Sequence, residues 1–254
     1  MISIKSEREI QLLREASRVV ALCLETLKEH VKPGVTTYEL DQICEKIILE
    51  NGCVPSCKGY EGFPCTVCAS VNEVVVHGIP SKKQKLKKGD IVTIDLVCAY
   101  KGYHGDSSYT YKVGEVSSEV KKLLEVTEGA LYEGISKIRE GAHLGDISNA
   151  IESFVKPYGY GIIDQYTGHG IGREMHEDPA IFNFGEAGTG PILKEGMVLA
   201  IEPMIALGTG KVRILNDGWS AATRDGKQSA HFEHTVVVRK DGYEILTKLN
   251  QEAK

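Results

Sequence analysis

Two acids stand in apolar surroundings where an acid is costly. Asp95 lies in Ile91-Val92-Thr93-Ile94-Asp95-Leu96-Val97-Cys98, and Glu202 follows Val198-Leu199-Ala200-Ile201. Both runs read as buried strands, in which an unpaired charge is unfavourable. Strand side chains alternate faces, so Val92, Ile94, Leu96 and Cys98 make one apolar face and Thr93 and Asp95 point the other way. Leu199 and Ile201 make the matching face of the second run, with Ala200 and Glu202 pointing away. Each acid thus follows a small side chain by two residues, which leaves room beside the carboxylate. A further acid comes after each: Asp106 in His-Gly-Asp-Ser-Ser (104–108) and Glu233 in Ala-His-Phe-Glu-His-Thr (230–235). Each of these has a hydroxyl two positions on, Ser108 and Thr235, which is expected to orient its carboxylate.

Four converging carboxylates repel one another unless cations neutralise them. His169, in Thr-Gly-His-Gly-Ile-Gly (167–172), adds an imidazole, and its flanking glycines let backbone and ligand approach closely. Four carboxylates and one histidine suit two divalent ions ~3.5–4 Å apart that share bridging oxygens. With no thiolate in the set, Mn, Fe(II) or Co fits at least as well as Zn. Singly, these residues have plainer explanations. Asp106 could be a turn residue and His169 a satisfied loop histidine. Asp95 and Glu202 resist that reading because their strands are apolar.

The elements that must hold these groups come in duplicate. A shift of 107 residues places Gly34 on Gly141, Leu40 on Ile147, Gly52 on Gly159, Gly89 on Gly196 and Asp95 on Glu202. Two similar halves packed about an approximate two-fold axis are expected. Each half opens with helices. Ser6-x-x-Glu9 is a capping box, followed by the stripe Ile10, Leu13, Ala16, Val20, Leu24, Leu27 and Val31. Lys32-Pro33-Gly34 ends that helix, and Thr36-x-x-Glu39 caps the next, which runs to about Asn51. Helices near 118–139 and 145–157 echo the pair. Glycine-punctuated strands follow each pair without strict alternation, so the fold class is α+β.

Composition narrows the function classes. Hydrophobic residues are 42% and charged residues 26% of the 254, the balance of a globular chain. Thirty basic against 35 acidic residues, net charge -5, disfavours a general nucleic-acid binder, so DNA is not an expected partner. No apolar run approaches the roughly 18 residues of a membrane span. The N-terminus turns charged at Lys5 and Glu7, so no secretory signal is expected and the seven cysteines read as reduced cytoplasmic thiols. Cys53, Cys57, Cys65 and Cys68 cluster, but only Cys65 and Cys68 have C-x-x-C spacing. Packing or a pocket wall is favoured over structural zinc. Lys82, Lys83, Lys85, Lys87 and Lys88 read as a solvated loop tip; the functional alternative is a transient contact with ribosomal RNA.

In order and context, Asp95, Asp106, His169, Glu202 and Glu233 match the dimetal ligands of type I methionine aminopeptidases. The strings Asn-Glu-Val-Val-Val-His-Gly-Ile-Pro (72–80), Tyr-Thr-Gly-His-Gly-Ile-Gly (166–172) and Glu-Pro-Met (202–204) are specific to the same family. The chain resembles the short bacterial-style form from its first helix to Glu-Ile-Leu-Thr (244–247). The resemblance implies the pita-bread (creatinase/aminopeptidase) fold: one catalytic domain over 1–254, with pseudo-two-fold halves at about 6–115 and 116–250. It implies removal of the initiator methionine from nascent polypeptides whose second residue is small, by a cytoplasmic monomer. Two divalent ions (Co, Mn, Fe(II), Zn or Ni) are implied. Asp95 would chelate one, Asp106 and Glu233 would bridge, and His169 and Glu202 would hold the other.

The same resemblance assigns proton transfer to Glu202, places His176 near the scissile carbonyl, and places His77 near the leaving peptide. Without it, each of those histidines reads equally well as a capped turn ahead of Pro80 or Pro179. The family's methionine pocket maps onto Cys57, Tyr60, Phe63, Cys68, Met175 and Trp219. Met175 departs from the aromatic expected there, which implies a wider or more pliable slot. A monovalent-cation loop would correspond to carbonyls near Asn72, Val74 and Ser229. Proline-specific peptidases share the ligands but usually carry an extra N-terminal domain, for which this chain is expected to have no room. Non-catalytic relatives typically lose ligands, and all five are present here.

Overall fold

Helix α1 (Glu7–His30) starts where Ser6 and Glu9 satisfy each other's backbone amides, and α2 (Thr37–Glu50) starts the same way at Thr36 and Glu39. The computed structural model describes residues 2–249. The stripe from Ile10 to Val31 is buried along its length. Helices α3 (Ser118–Ile135) and α4 (Leu144–Val155) take the corresponding places in the second half. Helix α3 stops at Ile135 rather than near 139. Lys137 and Ile138 donate to the carbonyls of Gly134 and Ile135, a tightened last turn that folds Ile138 back into the core.

The strand Ile91–Tyr100 pairs along one edge with Tyr103–Lys112 and along the other with Cys68–Val71 and Val54–Pro55. Val92, Ile94, Leu96 and Cys98 point into a core shared with Leu24, Leu27, Leu40 and Ile48 of α1 and α2. In the second half Val198–Ile201 lies between His234–Arg239 and Gly168–Gly170, with Gly242–Ile245 and Glu177–Ile181 at the edges. Leu199, Ile201 and Val236 there share a core with Leu123, Leu131, Ile147 and Ile151 of α3 and α4. Two three-stranded sheets complete the frame. Met204–Ala206 is central in one, and Ala221–Thr223 joins Val212–Ile214 to Val74–Val76 in the other. Every pairing among the described strands is antiparallel. No helix of the described residues is long and apolar enough to cross a membrane.

The halves are stitched where Tyr103–Lys112 runs beside residues 229–235. The Glu233 amide donates to the Ser108 carbonyl at 3.1 Å, and the Thr235 hydroxyl donates to the Asp106 carbonyl at 2.7 Å. Helix α1 clamps the join from outside. Its Ile10 and Leu13 pack with Ile171, Val198 and Val237, and Arg14 pairs with Glu244 at 2.7 Å.

Helix α1 lies so close to Tyr103–Lys112 that a Cβ on Gly105 would stand 2.4 Å from the Ser17 amide nitrogen and 2.6 Å from its Cα. Both atoms are backbone and cannot swing aside. Gly105→Ala is therefore expected to cost about 1–3 kcal/mol through overpacking, read as a lower urea midpoint. An unchanged midpoint would show that the helix can lift away from the strand without penalty.

Candidate metal centre and substrate pocket

The register of the first hairpin sets two of the acids. Asp95 pairs with Ser108 and Asp106 with Val97, so both carboxylates project from one face, one step apart. The other two leave the ends of strands. Glu202 follows Val198–Ile201 directly, and Glu233 falls in the short gap between Ser229–His231 and His234–Arg239. Pro203 has no amide hydrogen to give a ladder, which suits a break there. His169 stands in the centre of Gly168–Gly170. Its flanking glycines serve the sheet: a Cβ on Gly168 would lie 2.4 Å from the Ala200 carbonyl oxygen, and one on Gly170 would lie 2.1 Å from that of Asp178.

These five side chains line one cavity of about 450 Å³. His169 Nδ1 donates to the Gly170 carbonyl at 2.9 Å, which fixes the tautomer and leaves the Nε2 lone pair facing the acids. That nitrogen is 3.6 Å from Asp106 Oδ2 and 3.5 Å from Glu202 Oε1. Burial, helped by the neighbouring His176, pushes the His169 pKa down to about 4, so the ring is neutral near pH 7. Across these gaps a bare imidazole nitrogen faces carboxyl oxygens that only a shared proton or a cation can bridge. One ligand atom each from Asp106, His169 and Glu233 fall within 4.8 Å of one another. Asp106 Oδ1 and Glu233 Oε1 are buried without a hydrogen-bond partner. Such orphaned oxygens beside a bare imidazole nitrogen fit a divalent cation, and the oxygen-rich donor set excludes a thiolate site.

Electrostatics agree with that fit. Burial first, then the neighbouring carboxylates, pushes Asp106, Glu202 and Glu233 well above the usual carboxylate range. Burial raises Asp95 as well. The cluster cannot hold all its negative charge without a cation.

Ser108 and Thr235 do not act as the sequence reading expects. The Thr235 hydroxyl donates to the Asp106 carbonyl and accepts from the Asp106 amide at 3.2 Å, so it grips main chain and not carboxylate. The Ser108 hydroxyl is buried with no partner, and Ser107 is the residue whose hydroxyl reaches the Glu233 carbonyl. Strand parity gave the right face, but the groups standing across the join decide the contact.

The expected pocket residues Cys57, Tyr60, Phe63, Cys68, Met175 and Trp219 all line the same cavity, as do His77 and His176. Phe63 meets Trp219 edge-on at 5.2 Å, and His77 meets Tyr166 at 5.3 Å. His176 stands edge-on to His169 at 4.5 Å, with its Nδ1 3.5 Å from the Tyr60 hydroxyl. Cys65 is not part of this wall, and no cysteine joins a metal-ligating group among the described residues. The sequence reading gave no role to Glu61, Gln165 or Tyr166, which also line the cavity, nor to His231, whose Nε2 lies 3.3 Å from Glu202 Oε2. Being two residues before Glu233, His231 shares its strand parity, and that signal could have found it. The five lysines are exposed as expected for a loop. The loop is pinned, however, by a Thr36–Lys85 bridge and by Lys82 resting 4.7 Å over the Tyr38 ring.

Carboxyls with raised folded pKa values add stability below about pH 4, where they are protonated in both states, and lose it as pH rises through the raised values. A divalent ion replaces the departing protons. At a hundredfold excess over Kd, Mn²⁺ is expected to raise Tm by roughly 5–10 °C at pH 7.5. The shift should be less than about half of that at pH 5, where protons compete for the same oxygens. Equal shifts at both pH values would show that the ion binds elsewhere.

The sequence model of metallopeptidase family M24 matches residues 11–240. Methionine aminopeptidase 1 of Bacillus subtilis is 50% identical over 249 residues, covering 98% of this chain and all of that one. The crystal structure of methionine aminopeptidase from Thermotoga maritima superposes with a TM-score of 0.97 at 43% identity, covering 98% of this chain and 100% of that chain. Prolidase from Pyrococcus furiosus shares the fold, with a TM-score of 0.78 at 24% identity, covering 98% of this chain but 66% of its own. The chain belongs to metallopeptidase family M24, among its methionine aminopeptidases of the short bacterial type, and is a metal-using hydrolase with the pita-bread fold.

Proposed function

We propose that the cavity holds two divalent ions and removes the initiator methionine from nascent polypeptides with a small second residue. The observation that carries this reading is the pairing, in one cavity, of cation-starved acids with an apolar slot. Asp95, Asp106, His169, Glu202 and Glu233 would hold the ions between them. Co, Mn, Fe(II), Zn and Ni all accept this oxygen-and-imidazole set. Bound divalent ions supply Lewis acidity that lowers the pKa of water and polarises a carbonyl.

The rest is done by side chains. Cys57, Phe63, Cys68, Met175 and Trp219 bury an unbranched thioether, with Tyr60 at the exposed rim. Met175 in place of an aromatic leaves that slot more pliable. Burial lowers the pKa of His77 and His176, so near pH 7 each is neutral with one N–H to donate. His176 steadies the oxygen of the scissile carbonyl as charge develops, and His77 binds the leaving peptide. Glu202 takes the proton of the attacking water and returns it to the leaving nitrogen.

The Asn72 carbonyl accepts from the Ser229 amide at 3.0 Å, and the Asn72 and Val74 carbonyls converge on the Ser229 hydroxyl at 3.4 and 3.5 Å. A monovalent cation would be held by carbonyls in this neighbourhood, near Asn72, Val74 and Ser229. The enzyme works as a cytoplasmic monomer and touches the ribosome transiently through Lys82–Lys88.

Hydrolysis of Met-Ala-Ser is expected to require a divalent ion, to stop with chelator, and to exceed hydrolysis of an Ala-Pro dipeptide. Preferential cleavage of the proline substrate would overturn the assignment. Glu202→Gln should lower kcat by about 10²–10⁴; full turnover would remove Glu202 as the proton carrier. Lys→Glu at all five loop positions should abolish salt-sensitive cosedimentation with ribosomes, and unchanged cosedimentation would dismiss the contact.

A further inference from the structure

His231 is a deeply buried titratable group at this centre that the roles above leave unused. It ends the strand Ser229–His231, is 1% exposed, and neither ring nitrogen makes a hydrogen bond. Its main chain is tightly held. The amide donates to the Thr110 hydroxyl at 3.0 Å, and that hydroxyl donates to the His231 carbonyl at 2.7 Å. Thr93 backs Thr110 at 2.8 Å, and His231 sits in register with Met204, two residues from Glu202. So fixed, the imidazole presents Nε2 3.3 Å from Glu202 Oε2, while Glu202 Oε1 lies 3.5 Å from His169 Nε2. The two oxygens of one carboxylate thus face two different histidines: one in the candidate ligand set, one outside it.

We propose that His231 is a positioning residue: in the cation-loaded site its Nε2–H closes the 3.3 Å gap to Glu202 Oε2 as a hydrogen bond, which keeps Oε1 turned toward His169, where the cation binds. This rests on the ligand role proposed for Glu202. A carboxylate on an unsupported side chain samples several rotamers, and only some aim an oxygen at the cation. An imidazole proton carried on Nε2 is offered to Glu202 Oε2, 3.3 Å away. Holding one oxygen by a hydrogen bond leaves the other free to ligate and, in turnover, to carry a proton.

The test uses the full-length enzyme with His231→Leu and His231→Gln. Gln keeps an N–H donor of similar reach and Leu removes it. Cobalt titration followed by the d–d absorption band reads the metal site without reference to any substrate. Leu is expected to weaken cobalt affinity by ~10–100-fold and alter the band. It should also lower kcat for Met-Ala-Ser, with KM held within roughly threefold. Gln should restore affinity, band and kcat to within roughly threefold of wild type. Wild-type cobalt affinity and spectrum in the Leu variant would overturn the proposal, and so would a Gln variant as impaired as Leu. If the Leu variant does not fold, His231→Asn, whose shorter amide falls short of Glu202, takes its place with the same two outcomes. A wild type that binds cobalt but cleaves no methionyl peptide would fail the peptidase reading, while the titrations still decide the role of His231.

Discussion

Mutual repulsion among carboxylates in one buried cavity is the constraint to which the rest of the molecule answers. Each buried ion carries a desolvation penalty of several kcal/mol. The usual remedy, hydrogen bonds to the acid oxygens, would compete with the cation for the same lone pairs. The fold anchors main chain instead. Thr235 grips both backbone groups of Asp106, and Ser107 and Ser108 grip those of Glu233, while Asp106 Oδ1 and Glu233 Oε1 stay bare. Position is thus fixed without satisfying the ligand atoms. Holding such a strained cluster requires overdetermined surroundings. Two separate cores, the clamp of α1 across both halves and the close strand contact at Gly170 supply them.

What was legible in the sequence is what local chemistry writes there. Capping boxes at Ser6 and Thr36 involve residues three apart, and the stripe from Ile10 to Val31 follows the helical period. Alternation in 91–98 gave both the buried face and the direction of Asp95, because strand parity needs no knowledge of neighbours. The repeat across 107 residues added the relation between distant elements that local patterns lack.

The misreadings share one physical origin, which is contact across the join. The hydroxyl of Thr235 reaches Asp106, 129 residues away, and parity along one strand cannot say whether a carbonyl or a carboxylate waits there. Gly168 and Gly170 looked like room for a ligand, but the atoms nearest their missing side chains belong to neighbouring strands. Lys82 looked free because nothing in the sequence brings Tyr38 beneath it. Beyond its parity with Glu233, nothing local in Ala-His-Phe-Glu-His-Thr (230–235) marks His231, but its burial and its approach to Glu202 make it part of the centre.

A metal-binding scaffold does not by itself choose a substrate. In this chain the acids sit on or beside sheet strands, where the ladder fixes them. The groups that would meet a substrate side chain sit mostly on connections. Cys57, Tyr60 and Phe63 surround a turn in which Glu61 adopts φ 48°, Met175 and His176 precede Glu177–Ile181, and Trp219 precedes Ala221–Thr223. Strands that must hold cluster geometry to fractions of an ångström tolerate little change, whereas connecting segments can alter length and side chain with little effect on the sheets. Met175 belongs to that second group: it lines the cavity from the connection before Glu177–Ile181, away from the strands that carry the acids.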